Sequence, residues 1–447
     1  MTDHQVSPLP DPPLSRYQVN PFDFFSELLC GFSDQMIHLV IMLDGQLQYN
    51  TLVQAVMLAT EAEPITRCRL VQLNDMLWWE KIPHIGGTDL VIRRCVSDPI
   101  HYLEHALSYQ VDPFSGPLVQ AVYLHHTKDQ GDILVLNAHH TTMDGRGMKD
   151  FVNLILTLYR SLINSEEIHL SPSQINQRCL PRVSSLVPDL TSPPSGKVAW
   201  SGKFSVPLRS LDSERKKFSL LLMNRERVQT IQAVRKVWGV TMNDLLLAVV
   251  AQVCSSLMKP GDNRAISLLH TIDLRRYLTE VPVRSVLNYS TAFEVTVPVV
   301  PGESLEETTS RTHDLMTLIK TQHPGIDAVL EAERLYDAGC TSARKEMQEQ
   351  WEGILAEGKR SPLYTNTGII SPENLDPGIP VSHAFLLPTH NHPPGFCFAI
   401  STFGEQITWS SCYSMPAFDP DYIRMMYTTL DQILPGYSSQ PGTYLAI

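Results

Sequence analysis

The spacing of apolar positions in the first third of the chain alternates strand signals with helix signals. Met36 to Leu43 is a run of long and branched apolar residues interrupted by one histidine, and Asp44-Gly45 closes it with turn chemistry. Leu52, Val53, Val56 and Met57 recur at helical spacing and predict a helix across 52–60. Leu118 to Leu124 and Ile133 to Asn137 predict two strands, and the polar stretch His125 to Asp132, with Gly131 inside it, predicts the hairpin loop between them. Met148, Phe151, Val152, Ile155, Leu158 and Tyr159 then follow the i, i+3, i+4, i+7 rule of an amphipathic helix. Such alternation predicts an α/β or α+β unit.

The texture changes between Asn164 and Lys203, where five prolines and many serines break any period, as in a connector. Beyond it, Val228, Ile231, Val234 and Trp238 mark one face of a helix. Thr241 to Asp244 has the form of a capping box that opens a second helix, apolar nearly all round and so expected to be central. Strands are predicted at Ala265 to Ile272, Ala292 to Val299, Gly395 to Ser401 and Gln406 to Tyr413. Helices are predicted near 305–321, 328–358 with a break at Gly339, and 420–434. The simplest organisation is an N-terminal lobe over 14–170, a linker over 171–203 and a C-terminal lobe over 204–447.

Composition narrows the function classes. A chain of 447 residues, 43% apolar and 18% charged, can bury a large core in roughly two or three structural units. A net charge of −12 argues against a general nucleic-acid partner. No apolar run reaches the length of a membrane span; the best, Leu245 to Val253, is broken by Gln252. Met1 to Pro13 has neither a basic nor an apolar region, so no signal peptide is expected. Eight scattered cysteines without a Cys-x-x-Cys pair predict reduced, packed thiols in the cytoplasm, not a disulfide frame or a zinc site. Between Arg209 and Lys236 eight basic residues face three acidic ones, a local positive run in an acidic protein.

The segment that carries chemistry is Asn137-Ala-His139-His140-Thr-Thr-Met-Asp144-Gly145. It sets two imidazoles at a strand end, an acid four residues on, and a glycine beside the acid where a helix begins. An imidazole can take a proton from an alcohol or amine and return it, while an acid locked in an ion pair can hold the turn. A metal site from His139, His140 and Asp144 is disfavoured, because neighbouring residues on a strand point to opposite faces. Two other histidine groups, His125-His126 in the hairpin loop and His390-Asn-His392 between prolines, are expected at the surface.

His139-His140-x-x-x-Asp144-Gly145 resembles the signature of the chloramphenicol acetyltransferase-like superfamily. That group holds peptide-synthetase condensation domains, polyketide-associated O-acyltransferases and alcohol acetyltransferases. The resemblance extends through Pro64-Ile-Thr-Arg67-Cys-Arg69, Gly116-Pro117-Leu118, Val240-Thr-Met-Asn243-Asp244-Leu245, Ile272-Asp273-Leu274-Arg275 with Leu287-Asn288-Tyr289, and Tyr364-Thr365-Asn366-Thr367-Gly368. The Asp-Phe-Gly-Trp-Gly motif of the plant branch has no counterpart, which moves the likeness toward the condensation and polyketide-associated branches. The resemblance implies two lobes forming a pseudo-dimer around a central tunnel, in a stand-alone enzyme with no permanently bound cofactor. The donor would be a thioester on coenzyme A or on a carrier protein's phosphopantetheine, and the acceptor a small alcohol or amine. His140 would be the general base. Asp144 would pair with Arg275, His139 would support the turn, Gly145 would keep the channel open, and Asn288 would line the acceptor side. The positive run at 209–236 is most simply a solvated face, with donor docking the lesser alternative. The alternatives within the resemblance are amide formation between carrier-bound substrates and a non-catalytic member that binds a carrier or small ligand.

Overall fold

The computed structural model describes residues 16–128, 131–178, 181–187, 204–258, 265–280 and 286–447. Two large sheets face each other across the molecule. The first has five strands in the order Val381–Leu387, Met36–Leu43, Ile133–His139, Val119–His126 and Val91–Val96. All neighbours are antiparallel except the last two. Its central strands are buried on both faces, which is why the sequence shows continuous apolar runs there and not an alternation. On one face Leu39, Ile41, Leu134 and Leu136 join a core completed by the helices Tyr49–Ala62 and Gly145–Ile163. On the other, Val40, Val122 and Val135 meet Phe218, Leu220 and Cys412 of the second sheet, so the lobes are joined by an apolar layer.

The second sheet has seven strands in the order Ser290–Pro298, Ala265–Asp273, Leu363–Ile370, Cys397–Phe403, Gln406–Pro416, Ser213–Met223 and Thr443–Ala446. Helix Met242–Ser256 backs it, opened by a reciprocal cap between Thr241 and Asp244 and buried along almost its whole length. A smaller three-stranded sheet, Arg16–Gln18, Met76–Lys81 and Cys68–Leu73, flanks the first lobe.

The chain does not divide in space where it divides in sequence. Val381–Leu387, from within 204–447, is an edge strand of the first lobe's sheet, with Phe385 opposite Val40. Helices Ile326–Ala338 and Cys340–Glu357 also bury Val329, Leu335, Met347 and Ile354 in the first lobe's core. Of the linker 171–203, the described part forms a tight turn at Ile175–Gln177 and a short helix at Val183–Leu186, both seated in that core. Residues 179–180 and 188–203 lie outside the described residues. Among the described residues, no single helix is long and apolar enough to cross a membrane. The seven described cysteines are all free thiols, five of them buried.

Candidate functional site

The sheet delivers the site. His139 ends strand Ile133–His139 opposite Met36, and the chain continues with the His140 N–H donating to the Gln35 carbonyl at 2.7 Å. Strand alternation turns the two rings apart. The His139 ring is buried, with Nδ1 2.9 Å from the Thr141 hydroxyl and Nε2 3.8 Å from the Cys30 sulfur. Burial, aided by the neighbouring imidazole, depresses its pKa to about 3. His140 faces the other way, into a cavity of about 120 Å³ between the two lobes. Its Nδ1 is buried and, beyond the residue's own carbonyl, meets no hydrogen-bond partner among the described residues, which leaves Nε2 as the nitrogen open to the cavity. Burial lowers its pKa; the Asp144 charge and the residue's own carbonyl only partly oppose this. The ring is therefore held neutral, the form that accepts a proton.

Asp144 is the N-cap of helix Gly145–Ile163 and accepts from the Gly147 N–H at 2.9 Å. Arg275 donates to both of its oxygens, at 2.7 and 3.3 Å, and the Tyr289 N–H donates to Oδ2 at 2.8 Å. The same guanidinium donates to the Leu287 carbonyl and to Asp273. Burial alone would pull the arginine's pKa down, but the charges of Asp144 and Asp273 more than reverse this. A carboxylate saturated in this way is a structural tie: it binds the turn after His140 to segment Leu287–Tyr289 of the opposite lobe. Asn288 is held inside that tie. Its Nδ2 donates to the Ser26 hydroxyl at 2.7 Å, and its side chain lines the cavity with His140. A Cβ added to Gly145 would meet Thr367 and Leu386 at 3.7 and 3.8 Å, ordinary contact, so one methyl group is accommodated there.

Two arginines at the site carried no sequence signal. Arg178, from the proline-rich segment, is buried and donates to the Thr142 carbonyl at 2.9 Å, to the Val286 carbonyl and to Asp23. It clamps the motif turn from behind. Arg360, just before strand Leu363–Ile370, is buried and lines the cavity. Both are single charged residues outside any periodic pattern, and only the tertiary structure brings them to the loop.

Two expectations are corrected. His125 and His126 are not loop residues: strand Val119–His126 carries them, and His126 is buried. The reason is Asp132, which folds back to accept from the His126 N–H at 2.8 Å and the Tyr123 hydroxyl while meeting His125 at 3.3 Å. His390 is likewise buried, its Nε2 2.7 Å from the Ser414 hydroxyl, and burial depresses its pKa to about 4. The positive run is largely spent on ion pairs: Arg215 and Lys217 on Glu104, Lys216 on Asp34, Arg209 on Asp419 and Arg227 on Asp431. Three of these cations reach across to the first lobe, so the run joins lobes and offers little free charge to a donor. Among the described residues, no three His, Cys, Asp or Glu side chains cluster to hold a metal ion.

No protein-family model and no curated protein sequence matches the chain. Solved structures do match, over nearly all of it. The first condensation domain of the calcium-dependent antibiotic synthetase superposes with a TM-score of 0.68 at 12% identity, covering 96% of this chain and 98% of that one. The trichothecene 15-O-acetyltransferase of Fusarium sporotrichioides gives 0.65 at 13% identity, with 94% of each chain covered. Polyketide synthase associated protein 5 of Mycobacterium tuberculosis gives 0.64 at 13% identity, covering 95% of this chain and 100% of that one. The likeness is one of fold: the chain is built in two lobes as these condensation-domain and acetyltransferase structures are.

Proposed function

We propose that this protein transfers an acyl group from a thioester to an alcohol or amine, with His140 as general base. The observation that carries the reading is the His140 imidazole, with one nitrogen open to a cavity between lobes and its loop fixed by Asp144–Arg275. In the forward step Nε2 takes the proton of the acceptor O–H or N–H as that atom attacks the thioester carbonyl. The tetrahedral adduct then collapses, the C–S bond breaks, and the departing thiolate recovers the proton from the imidazolium. Asn288 contributes a polar group at the cavity wall beside the base, on the acceptor side. Coenzyme A or a carrier's phosphopantetheine is the donor, as a substrate and not a resident cofactor. A cavity of about 120 Å³ supports a short reacting group over a fatty chain. The buried thiols suit a reducing, cytoplasmic setting.

The test is incubation of the full chain with short acyl-coenzyme A thioesters and a panel of alcohols and amines, following thiol release and product mass. Acceptor-dependent thiol release that falls about 10²–10⁴-fold in His140→Ala is expected. Undiminished transfer by a folded His140→Ala would remove the base from the mechanism. The likeness to condensation domains favours a second form of the same chemistry, amide formation on carrier-bound substrates. It is supported if carrier-bound donors and amines react where free coenzyme A thioesters and alcohols do not.

A further inference from the structure

Arg360 is a cation without a carboxylate. It is 7% exposed, yet among the described residues no acid pairs with it, and no Asp or Glu lines its cavity. Burial drops its pKa to about 10. A buried charge without a counterion is unfavourable, and proteins keep such groups where something else completes them. The guanidinium is built in on two sides. Nη1 donates to the Phe32 carbonyl at 3.2 Å, and the group lies over the Phe32 ring at 5.3 Å. On a third side Gly395 makes room, since a Cβ there would fall 2.9 Å from the Arg360 Nη1. The Nε and Nη2 edge is left without an acceptor among the described residues, and Arg360 lines the same cavity as His140. The acids next in sequence to lining residues, Asp23, Glu27 and Asp34, are already committed to Arg178, Arg344 and Lys216. Ser33, Gln35, Thr389 and Asn391 add only uncharged polar groups.

We propose that Arg360 anchors a carboxylate carried by one of the two substrates that meet at His140. The planar edge of a guanidinium matches the two oxygens of a carboxylate, and a small cavity favours that group over a bulkier anion. The anion site stands on its own geometry; only the words donor and acceptor rest on the acyl-transfer reading.

The test is calorimetric binding of succinate and of its uncharged analogue succinamide to the full chain, in wild type, Arg360→Gln, Arg360→Lys and His140→Ala. Wild type should prefer succinate by about tenfold or more. Arg360→Gln should lose the preference, Arg360→Lys should keep part of it, and His140→Ala should keep it. Equal binding of the two compounds by wild type overturns the proposal, as does an undiminished preference in Arg360→Gln with a native circular dichroism spectrum. If Arg360→Gln does not fold, the wild-type preference and its reduction in Arg360→Lys decide the matter. Arg360-dependent binding of inorganic phosphate tighter than succinate would overturn the assignment to a carboxylate. Competition by succinyl-coenzyme A but not butyryl-coenzyme A would place the carboxylate on the donor. Competition by 3-hydroxybutyrate but not its amide would place it on the acceptor. A preference for succinate without any acyl transfer would keep the anion site and remove the proposed function.

Discussion

Arg275 and Arg360 are both buried arginines beside the loop of His140, and their surroundings are opposite. Arg275 has two carboxylates, a backbone carbonyl and an aromatic face around it, and its charge is stabilised. Arg360 has a carbonyl, an aromatic face and an open edge, and its charge is destabilised. The difference separates an arginine that holds the protein together from one that the protein holds ready. Saturation marks the first, and a missing counterion marks the second.

The largest effect that sharpens this comparison comes from pH, because neither arginine titrates between pH 4 and 6.5. His38, His270, His383 and His390 are buried neutral with pKa values near 4, and His139 near 3, against an ordinary 6.5. As pH falls below 6.5 the unfolded chain takes up protons that the folded chain refuses. Each such histidine then costs about 1.4 kcal/mol of stability per pH unit. Urea melts should show stability intact above pH 6.5 and falling steeply toward pH 4; a flat profile across that window would contradict the buried-neutral assignment. Next in size is the tie itself. Arg275→Met or Asp144→Ala should cost about 3–5 kcal/mol, because each leaves a buried charge without its partner. The double variant should cost less than the sum of the two. Unchanged melting of either single variant would show that the tie is not structural. Arg178→Met should cost about 3 kcal/mol, since it leaves the buried Asp23 without its cation as well as the Thr142 and Val286 carbonyls without a donor, read from the same melts. Arg360→Met, in contrast to Arg275→Met, should leave stability unchanged or slightly higher, since no acid loses a partner. A loss as large as that of Arg275→Met would erase the distinction. Smallest is Gly145→Ala, where the first carbon has room; stability should be unchanged or raised by about 1 kcal/mol at most, read from urea melts.

What the sequence made legible follows from where the physics is local. Met36–Leu43 and Ile133–His139 declare themselves because burial on both faces demands unbroken apolar runs. Helix Gly145–Ile163 does so because one face must repeat every three to four residues. Strand Ser213–Met223 stayed hidden because its first half is charged, and its cations Arg215, Lys216 and Lys217 find their partners in Glu104 and Asp34 of the other lobe. His126 was misplaced because Asp132, six residues on, supplies partners that extend the strand. The pairing of Asp144 with Arg275 enters the sequence reading only through resemblance, since no local pattern joins residues 131 positions apart. Whether an arginine is saturated or open is a property of its neighbours in space, so Arg178 and Arg360 had no signature to read.

The strand Val381–Leu387 has a consequence for how the molecule comes into being. During synthesis, the sheet that carries His139 lacks that edge until residues 381–387, more than 240 positions later, have left the ribosome. The nascent first lobe therefore waits with the edge of Met36–Leu43 uncovered, a surface able to pair with the wrong strand. Separately expressed halves split at the linker should each be incomplete, and the first half should become well folded only when Val381–Leu387 is supplied.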